Sequence, residues 1–295
     1  MTCQCQKLTT QEPNLCLPLT QYRLIEIAGA DAEKYLQGQL TCDVAKLEIG
    51  QQTLTSHCDP KGKMSAIFRL YRARAEQFVA LIHADLLPEA LVQLKKYAVF
   101  SKVTFTELDT PIFGTTSGSI FAEFCKNATA CKIEGGQTRY LLWGDLALQT
   151  NGEAELWELM DIQDGLPVLL KPNQFEHIPQ AVNLQALDQA ISFSKGCYIG
   201  QETVARAKYR GANKRAMFTL AGHFENEIVL PETAASVELQ LGENWKSTGT
   251  ILRAIAHQNT LWVQVILNKD IEPDSRFRVN GVELAICPLP YSLTD

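Results

Sequence analysis

The order of elements in this sequence predicts an α+β fold built of antiparallel layers over residues 1–215, with a separate small β-barrel or sandwich over residues 216–295. Two observations carry the prediction. The first part runs strand, helix, strand, strand, helix, strand without a Gly-rich phosphate loop, which favours antiparallel α+β layers over a doubly wound nucleotide fold. From Arg215 onward the pattern changes to short strands only. The chain of 295 residues also exceeds the usual single-domain size of about 100–200 residues, so more than one packing unit is expected. A division within the first part is expected near residues 105–115.

Each element has a local cause. In YRLIEIAGADAEKYLQGQLTCDV a strand containing Leu24, Ile25 and Ile27 ends at Gly29. Asp31 then stands where it could cap a helix whose apolar face includes Tyr35, Leu36 and Leu40. AIFRLYRA and QFVALIH alternate as two antiparallel strands, joined to what precedes them by a turn at Cys58-Asp59-Pro60-Lys61-Gly62-Lys63. PEALVQLKKYAVF reads as a helix with Pro88 in its first turn and Leu87, Leu91, Leu94 and Ala98 on one face. VTFTEL returns as a strand. SIFAEF and RYLLWG read as further strands, a helical segment is expected around Trp157, and GLPVLLKPNQFEHIPQAVNLQAL reads as an ordered irregular loop. The last part holds RAMFTLAG, ASVELQLG, STGTILRAI, TLWVQVIL and FRVNGVELAI. Its Val279-Asn280-Gly281-Val282 is a strong hairpin signal.

A formal net charge of −6 argues against a protein coated in nucleic acid but allows a local anion site. The opening residues lack a basic start followed by an apolar core, and no apolar run approaches the roughly 20 residues of a membrane helix. A cytoplasmic protein is therefore expected. Nine cysteines are scattered without a CxxC pair, so no metal site is expected. Cys3 and Cys5 read as part of a frayed terminus, and most other cysteines as small buried hydrophobes.

One segment departs from this background. Between Lys195 and Arg215 lie Lys195, Arg206, Lys208, Arg210, Lys214 and Arg215 against the single acid Glu202, a local balance of +5. Cys197 sits in this run. If Tyr198 to Lys208 is helical, the thiol lies at a helix N-terminus with Lys195 nearby, and both effects favour the thiolate. Glu202 and Arg206 would form an i,i+4 pair. Composition alone nevertheless favours an inert thiol packed beside Tyr198. The trailing ARAKYRGANKR reads as cations along an extended ribbon, suited to a polyglutamate tail, an RNA backbone or an acidic protein. Trp157 serves equally as a core residue or as a stacking surface.

KGCYIGQETVARAKYRGANKR resembles the hallmark of the YgfZ family, folate-binding proteins related to the T-protein, the aminomethyltransferase of the glycine cleavage system. GADAEKYLQGQLTCDV, HCDPKGKM, LKKYAVFSKVT, IPQAVNLQAL and GENWKSTGT agree with it, so the resemblance spans nearly the whole chain. It implies ferredoxin-like, T-protein-like modules around a central cavity, plus a C-terminal β-barrel. It implies tetrahydrofolate as cofactor and a role in synthesis or repair of iron–sulfur enzymes, including one that thiomethylates tRNA. By position it places the family's reactive cysteine on Cys197, with Lys195 and Glu202 beside it. It also implies folate contacts from Trp157, Tyr198, Gln201 and Arg206. The second folate tryptophan falls on Tyr22, which keeps an aromatic face and lacks the indole N–H.

The function expected is a folate-dependent accessory factor for iron–sulfur proteins, with Cys197 in redox or transient ligand work. The alternatives are a folate-dependent aminomethyl transferase, using one of Asp31, Asp59 and Asp161, and a direct tRNA-binding protein. The expected partners are folate and iron–sulfur enzymes, without a membrane.

Overall fold

The computed structural model describes residues 14–126 and 128–293; Cys3 and Cys5 lie outside the described residues. The chain opens with β1 (Cys16–Pro18), β2 (Tyr22–Ala28), α1 (Ala32–Gln37), β3 (Gln52–Cys58), β4 (Met64–Arg74), β5 (Gln77–His83), α2 (Leu87–Lys96) and β6 (Thr104–Leu108). Strands β2 to β6 form one antiparallel sheet in the order β3-β4-β5-β2-β6. Its strands are apolar at consecutive positions because both faces are covered. Ile25, Ile27, Phe78, Ala80 and Ile82 pack with the two helices, while Leu24, Val79 and Leu81 enter a second core on the other face.

α2 buries Leu87, Ala90 and Leu94 with Pro88 in its first turn, as the spacing predicts. The Tyr35 hydroxyl donates to the Leu94 carbonyl and ties the two helices together. Asp31 is the N-cap residue of α1 by position, but its side chain makes no capping bond. Its carboxylate accepts instead from the Lys102 N–H at 2.7 Å, closing the turn around Gly29. There φ is +137° and a Cβ would lie 2.2 Å from the Lys102 carbonyl oxygen, which explains the glycine.

Strands β7 (Ile112–Thr115), β8 (Thr129–Ile133) and β9 (Arg139–Trp143) join β1 in a four-stranded sheet ordered β1-β7-β9-β8. Between β7 and β8 the segment expected to be a strand, SIFAEF, is instead α3 (Gly118–Phe124). Ser117 accepts from the Ile120 N–H and caps it. Ile120, Phe121 and Phe124 then share one helix face against Cys16, Phe113 and Leu142. α4 (Glu155–Gln163) follows, and α5 (Gln201–Tyr209) comes after a long irregular segment of short 3-10 turns.

The remaining strands are β10 (Arg215–His223), β11 (Val237–Leu241), β12 (Asn244–Thr248), β13 (Thr250–His257), β14 (Thr260–Asn268), β15 (Arg276–Val279) and β16 (Val282–Cys287). They form one antiparallel sheet ordered β12-β11-β15-β16-β10-β14-β13, curled around a core that includes Phe218, Val263 and Phe277. Asn280 and Gly281, with φ of 47° and 83°, make the tight turn of the predicted hairpin. STGTILRAI is not one strand, because Gly249 at φ +69° ends β12 and starts β13. Met217, Leu252 and Ile266 pack into the first core, and Ala221, Ile255 and Trp262 into the second. The barrel-like sheet is therefore seated on both α+β layers. No helix among the described residues is long and apolar enough to cross a membrane.

Candidate functional site

A cavity lies where the layers meet. The sheet contributes Tyr22, Ile67, Arg69, Leu81 and His83, α4 contributes Trp157 and Asp161, and the irregular segment closes it with residues 166–169. Tyr22 and His83 are direct partners in the β2–β5 register, and their rings meet edge to face at 5.6 Å. Trp157 and Asp161 are one helical turn apart, so they enter the cavity from the same face. The indole packs on the backbone of Gly114, where a Cβ would lie 2.3 Å from the ring. The glycine in β7 thus makes room for the tryptophan.

Behind this wall lies a buried ionic cluster. Arg139 is fully buried. Its Nη2 donates to Asp161 Oδ1 at 2.8 Å and to Asp164 Oδ2 at 3.3 Å. Its guanidinium carbon sits 4.6 Å from the centre of the Trp157 ring. Burial raises the Asp161 carboxyl, opposed by Arg139 and Arg69. Burial lowers Arg69, opposed by Asp161, and Arg69 also donates to Gln52 Oε1 at 2.8 Å. Tyr22 is raised well above its ordinary value, first by burial and then by Asp161 and Glu158. The cavity therefore offers a neutral phenol, a hydrogen-bonded carboxylate and cationic donors against apolar walls.

His83 is the titrating member. Burial opposes its charge, but hydrogen bonds to Asp85 (2.6 Å) and to the nearly buried Glu158 (3.4 Å) outweigh this and raise it to about 9. Glu158 is held below its usual range by His83 and Arg253 against the effect of burial. The folded state therefore keeps a proton on His83 that the unfolded chain loses near 6.5. The resulting stabilisation is complete below pH 6.5 and disappears as pH rises through about 9. A shift of this size, discounted for partial exposure, corresponds to about 2 kcal/mol. Chemical denaturation of the parent protein and of His83→Gln between about pH 7 and 9.5 should show the stability difference between them shrinking by that amount as pH rises, the contributions of groups common to both cancelling in the difference.

The remaining candidates lie on and before α5. The helix starts at Gln201, not at Tyr198, after Gly200 at φ +80°. A Cβ on Gly200 would stand 2.6 Å from the Asp59 carbonyl oxygen and 2.9 Å from Cys58 Cβ, so the chain turns tightly against the Asp59–Gly62 turn before the helix begins. Cys197 is consequently not at a helix N-terminus. It is exposed, which also removes the reading of a packed thiol. Lys195 turns away from it: the ammonium donates to the Leu40 and Cys42 carbonyls at 2.7 Å each and lies 4.9 Å from the centre of the Tyr198 ring. Burial lowers Lys195 to about 8, with Cys42 and Asp43 opposing. Gln201 Oε1 accepts from the buried Tyr198 backbone N–H at 3.1 Å, while Glu202 and Arg206 form the expected exposed i,i+4 pair.

Two groups result. Tyr22 and Trp157 share the cavity, whereas Lys195, Cys197, Tyr198, Gln201, Glu202 and Arg206 form a loop–helix unit that does not line it. That unit is packed on the Leu40–Cys42 segment and on the Cys58–Gly62 turn. Sequence reasoning missed Arg69 and His83 and left Asp161 unresolved. The alternation of β4 and β5 and the i,i+4 spacing from Trp157 were their only local signals. Asp31 and Asp59 serve turns instead, Asp59 accepting from the Lys61 and Lys63 N–H groups. Among the described residues no cluster of three His, Cys, Asp or Glu could hold a metal ion.

Comparison with known proteins places this architecture. The model of the YgfZ β-barrel domain matches residues 213–282. The "tRNA-modifying protein YgfZ" of Enterobacter sp. (strain 638) is 43% identical, over 96% of this chain and 95% of that protein. The chain belongs to the YgfZ family. An Escherichia coli O157:H7 YgfZ protein is 42% identical over 96% of the chain and 95% of its own length. A Haemophilus influenzae protein described only as uncharacterized is 51% identical over 95% of the chain and 99% of its own length. The crystal structure of glycine cleavage system aminomethyltransferase T from Bartonella henselae superposes with a TM-score of 0.71. It covers 96% of this chain and 87% of its own, at 13% identity. The chain thus shares the fold of that structure, as the family resemblance implies.

Proposed function

We propose that this protein binds tetrahydrofolate in the central cavity. We further propose that it acts in the cytoplasm as an accessory factor for synthesis or repair of iron–sulfur enzymes, and thereby affects tRNA modification such as thiomethylation. The observation that carries the reading is the convergence of Tyr22 and Trp157, from opposite halves of the α+β region, on one cavity with Asp161, Arg69 and His83. A reduced pterin is a flat ring with a donor edge and a carbonyl oxygen. Asp161 is suited to accept from the donor edge, Arg69 or protonated His83 to donate to the oxygen, and Tyr22, Trp157 and the apolar walls to hold the ring. Bound tetrahydrofolate would supply a nitrogen able to accept or carry a one-carbon unit. The cationic segment and Arg206 lie apart from the cavity lining, so their placement gives no support to a folate tail as the anion they hold. The relatives' description as tRNA-modifying proteins supports the cellular role, and exposed Cys197 is available to a partner enzyme.

Titration with tetrahydrofolate, read by tryptophan fluorescence, tests the folate part. A saturable change in the micromolar range is expected, weakened about 10- to 100-fold by Asp161→Asn, the usual effect of losing charge-assisted hydrogen bonds. No response well above micromolar concentration would exclude it.

A second reading, aminomethyl transfer to folate, is favoured by one observation: of the three candidate acids only Asp161 lines the cavity. Methylene transfer from an aminomethyl donor to tetrahydrofolate, lost in Asp161→Asn, is the result that reading requires. Its absence favours the accessory role.

A further inference from the structure

The cationic segment has an architecture of its own. Lys195 is turned inward and Arg206 is paired with Glu202. Lys208, Arg210, Lys214 and Arg215 are exposed, and none has an ion-pair partner among the described residues. They are not on an extended ribbon: Lys208 lies in the last turn of α5, Arg210 and Lys214 lie on the loop around Gly211 at φ +58°, and Arg215 opens β10. At the head of this arc stands an aromatic shelf. Tyr209 is 68% exposed and meets Phe193 edge to face at 6.2 Å. Lys208 Nζ lies 3.9 Å from the centre of the Phe193 ring and 5.8 Å from that of Tyr209. Phe193 and Lys208 divide two open grooves, one of which continues to Arg215 and the other to Lys46.

From this placement we infer that the face formed by Phe193, Lys208, Tyr209, Arg210, Lys214 and Arg215 binds single-stranded RNA, with a base stacked on Tyr209 and phosphates on the four cations. An exposed aromatic ring flanked by cations without ion-pair partners is the combination that unpaired bases and their backbone require. A duplex keeps its bases stacked on one another and leaves the tyrosine unused. An acidic peptide would use the cations but has no flat ring for the shelf. The site shares no lining residue with the cavity, so it stands independently of folate.

Binding of a fluorescein-labelled oligouridylate RNA to the full-length protein, followed by anisotropy over a range of KCl concentrations, tests the inference. Log affinity should fall against log salt with a slope of about −2 to −3, about −0.7 for each phosphate contacted. Tyr209→Ala should weaken binding about 5- to 100-fold without changing the slope, and Tyr209→Phe should retain the affinity. Arg210→Gln with Lys214→Gln should make the slope shallower by about 1.4. Absence of binding at low salt, equal binding of the matching RNA duplex, or indifference to Tyr209→Ala would each overturn the proposal. So would displacement of the RNA by an acidic peptide at equal charge concentration. Tetrahydrofolate titration of Tyr209→Ala should match the parent protein, which separates failure here from failure of the folate reading.

Discussion

Replacing Arg139 with methionine should lower stability by about 3–5 kcal/mol, the usual result of stripping one partner from a buried ion cluster. The side chain has no exposed surface, and its loss leaves Asp161 and Asp164 buried without the cation that both face. Methionine keeps much of the volume against Trp157, so cavity formation is the smaller cost. The damage should depend on pH in a definite sense. Burial already raises the Asp161 carboxyl, and without the guanidinium that opposes this, Asp161 holds its proton more tightly in the folded state than in the unfolded one, so the deficit should shrink as pH falls from 7 toward 5. The double variant Arg139→Met with Asp161→Asn should recover part of the loss at pH 7, because one uncompensated charge is gone. Denaturant midpoints of the two variants at both pH values check this. A pH-independent deficit would mean that packing, not charge, is what Arg139 supplies. Tetrahydrofolate binding should fall in Arg139→Met even where the protein remains folded, since the same guanidinium orients Asp161 and lies over the Trp157 ring.

This cluster also marks where sequence reading stops. The strand alternation of β4 and β5, the amphipathic α2 and the Asn280-Gly281 hairpin were legible because a few consecutive residues determine each of them. SIFAEF was misread because Ile120, Phe121 and Phe124 suit either a strand or a short helix, and the deciding group, the Ser117 hydroxyl, stands outside the apolar run. Alternation shows that Arg69 and His83 share faces with Ile67 and Leu81, but not that α4 will lie over those faces with Trp157 and Asp161. That convergence depends on how three sheets stack, which no local pattern encodes. The basic segment shows the same limit differently. Its charge balance and the Glu202–Arg206 pair are legible in the sequence, but only the fold separates the inward Lys195 from the four outward cations.

Cys197→Ala should leave the folded protein intact and abolish its function. The thiol is exposed and precedes the tight turn at Gly200, so its removal takes away no buried contact, and the melting temperature should move by no more than about 1 °C, consistent with a change within about 0.5 kcal/mol for exposed sites. In a strain lacking the protein, the variant should leave iron–sulfur enzyme activity and tRNA thiomethylation at the deletion level, because the proposed role of the segment rests on the sulfur itself. Full rescue would reduce Cys197 to a bystander. Lys195→Met is the informative contrast. It withdraws the ammonium from the Leu40 and Cys42 carbonyls, leaving two acceptors without a donor at a cost of about 1–3 kcal/mol. It should therefore lose stability as well as rescue. If Lys195 acts by fixing the loop that carries Cys197, Lys195→Arg should recover part of both, since a guanidinium can still bridge two carbonyls. If the amine were itself a reactant, Lys195→Arg should restore stability without rescue. The pair of substitutions thus separates the chemistry of the thiol from the anchoring of its loop, two roles that adjacency in sequence had merged.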